Sequence, residues 1–241
     1  MERPRRSGGS RGGAADQESH RRHPGSVGAA RRRAHPRAGC GHGALAKALA
    51  LAGAKVVGVD PEPAALIAAR RAVPAALFVQ AGAEALPVRD AAFEGAVFQN
   101  ALHHIPVPLM PAALRAAVRA VCPGRPVVVV EPLAAGAFFE VLRPIEDETA
   151  LRAAAQDALA AATAAGSDIA LVDEQSFLRV SVFESFEAAI AMMLAADPAR
   201  AAAAAAKDAE LRARFVEFAA PVPGGFRLEQ PMRASILQGR P

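Results

Sequence analysis

Residues 39–60 read GCGHGALAKALALAGAKVVGVD, and this stretch decides how the rest of the chain is read. Gly39, Cys40, Gly41, His42 and Gly43 form a loop whose backbone can pass close to a ligand before it opens a helix N-terminus. Residues 44–52 follow as a helix closed by Gly53, and residues 55–60 as a short buried strand ending on an acid. An acid at that strand end can accept both hydroxyls of a ribose, so the loop and Asp60 together fit a nucleoside cofactor. A loop of this kind normally follows a hydrophobic strand. Here RRRAHPRA, residues 31–38, stands in its place.

Outward from the loop the pattern is regular. A helix over 62–73, a strand over 76–80, a strand over 95–100, a helix over 109–121, a CPG turn at 122–124 and a strand over 125–132 alternate. This spacing means a parallel sheet with helices on both faces, a doubly wound α/β fold. RPVVVVEP (125–132) is apolar on both faces, as a central parallel strand is. The second half differs. Residues 133–165 read as one long helical segment ending at Gly166, 177–183 as a strand and 186–194 as a helix. Asp197-Pro198 caps a helix running to about residue 218, and 224–237 is extended. Two late strands separated by helices predict an antiparallel ending, with Pro231 at a sheet edge or bend. The domain reading is a tail (1–38), a cofactor-binding core (39–132), and a helical lid with C-terminal strands completing the same domain (133–241).

The totals place the charge. The chain has 241 residues and a formal net charge of +4. Residues 1–38 hold ten arginines against Glu2, Asp16 and Glu18, a net +7, which leaves −3 for residues 39–241. The basic character therefore belongs to the tail, and the remainder has no nucleic-acid footprint in its totals. The tail contains no Leu, Ile or Phe, so it reads as disordered. Its alternatives are a nucleic-acid-binding arm, a transit peptide or a spurious extension. Alanine supplies much of the 52% hydrophobic share, which predicts thin, closely packed helices. No apolar run approaches a membrane span, and Cys40 and Cys122 suggest no disulfide framework. A cytoplasmic protein, in no contact with membrane, is the expectation.

AGAEALPVRDAAFEGAVFQNALHHIP (81–106) separates the cofactors that the loop leaves open. It resembles, segment by segment, the class I S-adenosylmethionine-dependent methyltransferases that act on small molecules. Their sequences commonly read like GDAEALPF before a strand and LHHI after it. The resemblance covers residues 39–132 well, and FEVLRPIEDET (139–149) and EQPMRASIL (229–237) look like later parts of the same family. It implies a Rossmann-like doubly wound sheet, mostly parallel with an antiparallel C-terminal strand, under helical lid insertions. It implies methyl transfer from S-adenosyl-L-methionine to a small-molecule substrate. By resemblance, Gly39, Cys40, Gly41 and Gly43 admit the cofactor, Asp60 and Pro61 meet its ribose, and Gly82, Ala83 and Glu84 lie beside adenine. Gln99 and Asn100 end a strand at the methionine end. No metal site, nucleic-acid partner or defined oligomeric state follows.

Three departures stand against the family pattern. Residues 35–38 replace the strand before the loop, Gly82 replaces an acid near adenine, and Gln99-Asn100 is polar but uncharged. Four lost aliphatics in a central strand would forfeit about 6–12 kcal/mol, comparable with a whole domain's stability. The expectation is that residues 1–38 are an out-of-frame extension and that the first strand is missing or replaced. The rival function is a degenerate, non-catalytic cofactor-binding protein.

His103 and His104 are the candidate catalytic residues, since a neutral imidazole suits proton removal near pH 7. The bland alternative has His103 packing on the cofactor side and His104 capping the next turn. Glu146, Asp147 and Glu148 suit a helix N-terminus, or line a substrate mouth with Arg143. Glu131 ends a strand toward the same cleft.

Overall fold

The computed structural model describes residues 34–38 and 40–240. Gly39 and the expectations for residues 1–33 lie outside them. In the first half, β1 (Ala34–Ala38), α1 (Ala44–Leu51), β2 (Lys55–Asp60), α2 (Pro63–Ala72), β3 (Leu77–Gln80), β4 (Ala96–Gln99), α3 (Met110–Ala120) and β5 (Val127–Pro132) alternate as the periodicity predicts. The second half contains α4 (Ala137–Leu142), α5 (Thr149–Ala162), β6 (Ile169–Phe183), α6 (Phe186–Ala196), α7 (Ala201–Ala206), α8 (Asp208–Phe218), β7 (Ala220–Val222) and β8 (Gly225–Gly239).

These strands form one sheet in the order β3-β2-β1-β4-β5-β8-β6, with β7 added to β8. β1 to β5 pair in parallel, and β8 runs antiparallel to β5, β6 and β7. The strand order reverses beside β1, and in open α/β sheets ligands bind in the crevice outside the carboxyl ends at such a point.

Of the two alternatives for the first strand, missing or replaced, the second holds: Ala34–Ala38 takes the central position, paired with β2 along its whole length. The ladder to β4 holds only Arg37 and Ala38. Pro36, which has no N–H, therefore falls outside that ladder.

α3 buries Ala113, Leu114, Ala117 and Ala120 along one face, the small residues letting the helix lie close to the sheet. Phe98, Leu102, Leu114, Val127 and Val129 join Ala155 and Leu159 of α5 and Leu237 of β8 in the largest core cluster. Each large member contributes roughly 1.5–3 kcal/mol by burial. A second cluster ties Phe138, Val141 and Leu142 of α4 to Phe186, Met193, Leu211, Phe215 and Leu228. This is the lid.

Further differences follow from local chemistry. The helical segment expected over 133–165 divides into α4 and α5, because Pro144 interrupts it and Asp147 accepts the Thr149 N–H. The strand expected at 177–183 begins at Ile169 instead, since β8 offers a partner for the whole run, with a bulge between Leu171 and Asp173. The helix expected from Asp197 divides at Lys207 (φ −114°, ψ 20°) into α7 and α8. Pro231 lies inside β8, not at a sheet edge. The β5 ladder stops at Pro132↔Met232, one residue short of it, and the Pro231 carbonyl accepts the Leu133 N–H there.

Candidate active site

A groove of about 770 Å³ crosses the carboxyl ends of β2 and β4. Of the residues expected to hold cofactor, Gly41, Asp60, Pro61, Gly82, Ala83, Glu84, Gln99 and Asn100 line it. Two others do not. Cys40 is buried in the cluster with Val56, Leu66 and Phe78. Gly43 (φ 88°) turns the loop into α1, and a Cβ there would lie 3.2 Å from Ala69. Their work is to seat the loop against α2. His42, Ile105, Pro106 and Leu109 also line the groove, without a sequence signal that marks them.

Asp60 ends β2 almost buried. One of its oxygens accepts the Gly41 N–H at 2.8 Å and the other the Glu62 N–H at 3.0 Å. Each oxygen keeps a second lone pair for a hydroxyl. The acid missing at Gly82 is replaced from nearby: the Glu84 carboxylate folds back into the space that a Cβ on Gly82 would fill. Asn100, at φ 50°, holds a left-handed conformation that Asn tolerates better than most residues. Its Oδ1 is buried with no hydrogen-bond partner, as expected for an atom that waits for a ligand donor.

A second cavity, of about 340 Å³, lies between β6, α4 and α6. Asn100 and His104 line both it and the groove. His103, Glu146, Glu148, Arg152, Arg179 and Arg200 supply its polar wall, and Phe138, Leu142, Met192 and Met193 its apolar one.

His103 and Glu131 form the buried centre of this wall. One Glu131 oxygen accepts the Ala101 and Leu102 N–H groups at 2.9 Å each, and the other meets His103 Nδ1. Burial alone would raise the Glu131 pKa. The hydrogen bond and charge of His103, with the two N–H donors, outweigh it and hold the carboxyl below its ordinary value. Glu131 therefore holds a proton on Nδ1 of His103 and turns Nε2 toward the cavity, 3.7 Å from Glu148. Arg152 reaches a Glu148 oxygen through Nε (3.0 Å) and Nη2 (2.8 Å), and also bonds the Leu133 carbonyl and Gln230. Partial loss of water at the ring, then the neighbouring His103, lower the His104 pKa and favour the neutral ring.

Of the acids read as a helix cap or substrate mouth, Glu146 and Glu148 line the cavity. Asp147 turns away to Thr149 and Arg143. His103, His104 and Glu148 also bring three potential ligand atoms within 4.8 Å of one another, but the Arg152 guanidinium already occupies Glu148. Sequence reasoning did not find Arg152, Arg179 or Arg200. Arg152 had one signal, its position four residues after Glu148 on a helix.

Residues 37–124 match the profile of a family described as methyltransferase domain. That stretch is similar to a methyltransferase domain. Solved structures share this fold. One is a Bacillus halodurans protein assigned as a methyltransferase, with TM-score 0.57, 19% identity, and coverage of 87% of this chain and 93% of that one. The YcgJ protein of Bacillus subtilis gives TM-score 0.56, 16% identity and the same coverage. The [4+2]-cyclase SpnF gives TM-score 0.54 and 17% identity over 86% of this chain and 75% of its own. Among curated proteins, none matches the sequence. No helix among the described residues is long and apolar enough to cross a membrane.

Proposed function

We propose that this protein moves a methyl group from S-adenosylmethionine, held in the groove, to a small-molecule acceptor in the adjoining cavity. The carrying observation is that the two spaces meet at Asn100 and His104. A donor and an acceptor placed on either side of that junction are aligned for direct transfer, and alignment supplies most of the rate in such a reaction.

The groove fits the cofactor on this chain's own atoms. Asp60 offers paired lone pairs to the ribose, Ala83 and Glu84 flank the base, and the orphaned Asn100 oxygen accepts from the methionine end. Bound there, the cofactor supplies a methyl carbon made electrophilic by sulfonium. The protein's part is positional and protolytic: Glu131 holds His103, and His103 Nε2 takes the proton that the acceptor's nucleophilic O–H or N–H releases. Phe138 and Leu142 of α4, with Met192 and Met193 of α6, give the cavity an apolar wall. A volume of about 340 Å³ is the size of a small molecule, and the net acidic charge after residue 38 goes with an acceptor other than nucleic acid.

The rival, a cofactor-binding protein without turnover, is favoured by β1, whose sequence is AHPRA rather than an aliphatic run. Calorimetric titration with S-adenosylhomocysteine tests the shared part. Micromolar binding is expected, with Asp60→Ala weakening it by about tenfold or more, the loss of one to two charge-assisted hydrogen bonds. A folded chain that binds none, or a variant that binds equally well, defeats the cofactor assignment. Methylation of any acceptor, read as S-adenosylhomocysteine release, then decides between the enzyme and its rival.

A further inference from the structure

The geometry points to Arg179 as the anchor for a carboxylate carried by the acceptor. This deepens the methyl-transfer reading and rests on it only in taking the cavity of about 340 Å³ as the acceptor's place.

The charges lining the cavity do not balance. Two acids, Glu146 and Glu148, face three guanidiniums, those of Arg152, Arg179 and Arg200. Both acids are already committed: Glu148 to Arg152 at 2.8 Å, and Glu146 to Arg200. Arg179 makes no ion pair among the described residues. Its guanidinium lies over the Phe138 ring, 5.1 Å from the centroid, and its Nε–H is buried with no acceptor. Burial, then the charge of Arg152, lower the Arg179 pKa, as expected of a cation that has lost water without gaining a counter-charge. Arg179 is therefore the guanidinium of this wall with no carboxylate against it; Glu131, behind His103, is taken up by three other donors.

Chemistry narrows what neutralises it. A guanidinium stacked on an aromatic ring keeps its in-plane N–H edge for a planar anion, the geometry of a carboxylate. Ser181, two residues along β6, lines the same wall and offers a hydroxyl donor. Pro132, Phe138, Leu142, Met192 and Met193 surround the rest with apolar surface. A lone guanidinium without a carboxylate partner matches a monoanion. The acceptor is thus a small carboxylic acid with an apolar body, its acid end at Arg179 and its nucleophile toward His103 and the Asn100–His104 junction. A divalent cation is the poorer occupant, because three guanidiniums border the space.

The test uses the full chain and ¹⁹F NMR titrations of 4-fluorobenzoate and 4-fluorobenzamide, with and without saturating S-adenosylhomocysteine. The wild type is expected to bind the benzoate at least about tenfold more tightly than the amide, the scale of one charge-assisted contact. Arg179→Gln is expected to abolish that preference while binding S-adenosylhomocysteine as the wild type does, and Arg179→Lys to restore part of it. Equal binding of the two probes, no benzoate binding, or an unchanged preference in Arg179→Gln overturns the assignment. Should Arg179→Gln fail to fold, the wild-type comparison of the two probes decides alone. If benzoate binding depends on Arg179 but S-adenosylhomocysteine never binds, the carboxylate site stands and the methyl-transfer reading falls. The opposite pattern removes the site and leaves that reading intact.

Discussion

Glu131→Ala is expected to lose about 3–5 kcal/mol at neutral pH, the usual result of breaking a buried, hydrogen-bonded pair by removing one partner. Glu131 is 1% exposed and is the acceptor for three donors, the Ala101 and Leu102 N–H groups and His103 Nδ1. Alanine leaves all three in a dry interior, and each orphaned group carries about 1–3 kcal/mol of desolvation. That is a large share of a domain's total stability of roughly 5–15 kcal/mol. Glu131→Gln keeps one oxygen for the two N–H groups but turns an amide donor toward His103, so it should lose less and force the other tautomer. The pH dependence has a definite sign. The folded pKa of Glu131 lies below its ordinary value, so its contribution is complete above the carboxylate range and disappears as pH falls through the folded value. Urea denaturation of the wild type and both variants at pH 7 and at successively lower pH checks this. A gap between wild type and Glu131→Ala that is small at pH 7, or that widens on acidification, would contradict it.

Gly225→Ala is expected to come next, at about 2–5 kcal/mol, the sum of left-handed backbone strain and overpacking. Gly225 has φ 148°, and a Cβ there would fall on the Phe183 carbonyl oxygen and 2.8 Å from its carbonyl carbon. Those are backbone atoms at the end of β6, so no side chain can swing away. Gly224→Ala is the control: its φ of 86° is also left-handed, but a Cβ would meet nothing within 4 Å. It should lose only about 1–2 kcal/mol. The difference reaches the site, because Arg179 and Ser181 stand on β6 in register with Gln230 and Leu228, near the end of the β6–β8 ladder at Phe183↔Phe226. Thermal melts of the two variants separate steric from conformational loss. Equal melting temperatures would show that the β6–β8 contact yields easily.

What the sequence disclosed depended on whether a feature was local. The glycine loop, the short apolar strands and the acid at Asp60 are read from neighbours in the chain, and they stand where periodicity puts them. β1 was left between missing and replaced because five residues with proline at their centre have no strand signature; its place comes from β2 and β4 on either side. β6 was cut short for a similar reason. ALVDEQS carries acids and amides that suit a mostly exposed strand, and only pairing with β8 makes it extended. The groove proposed for the cofactor was legible because its residues fall at strand ends in motif order. The cavity proposed for the acceptor was not. Arg179 is a single arginine in an apolar strand, Arg200 lies in a single 3-10 turn, and their significance is a balance of charge across elements far apart in sequence.

The position of β1 has a consequence for how the molecule holds together. In the strand order, β2 pairs with β1 and β3, while β4 pairs with β1 and β5. β1 is thus a cut point: without its ladder the sheet separates into a two-stranded fragment and a five-stranded one. The groove straddles that division, with Asp60 and Pro61 on one side and Gln99 and Asn100 on the other. A molecule lying along it clasps both fragments, so occupancy and assembly of the sheet reinforce each other by mass action. The ligand is then a structural rivet as well as a reactant, set across the seam whose protein sequence is least suited to close it.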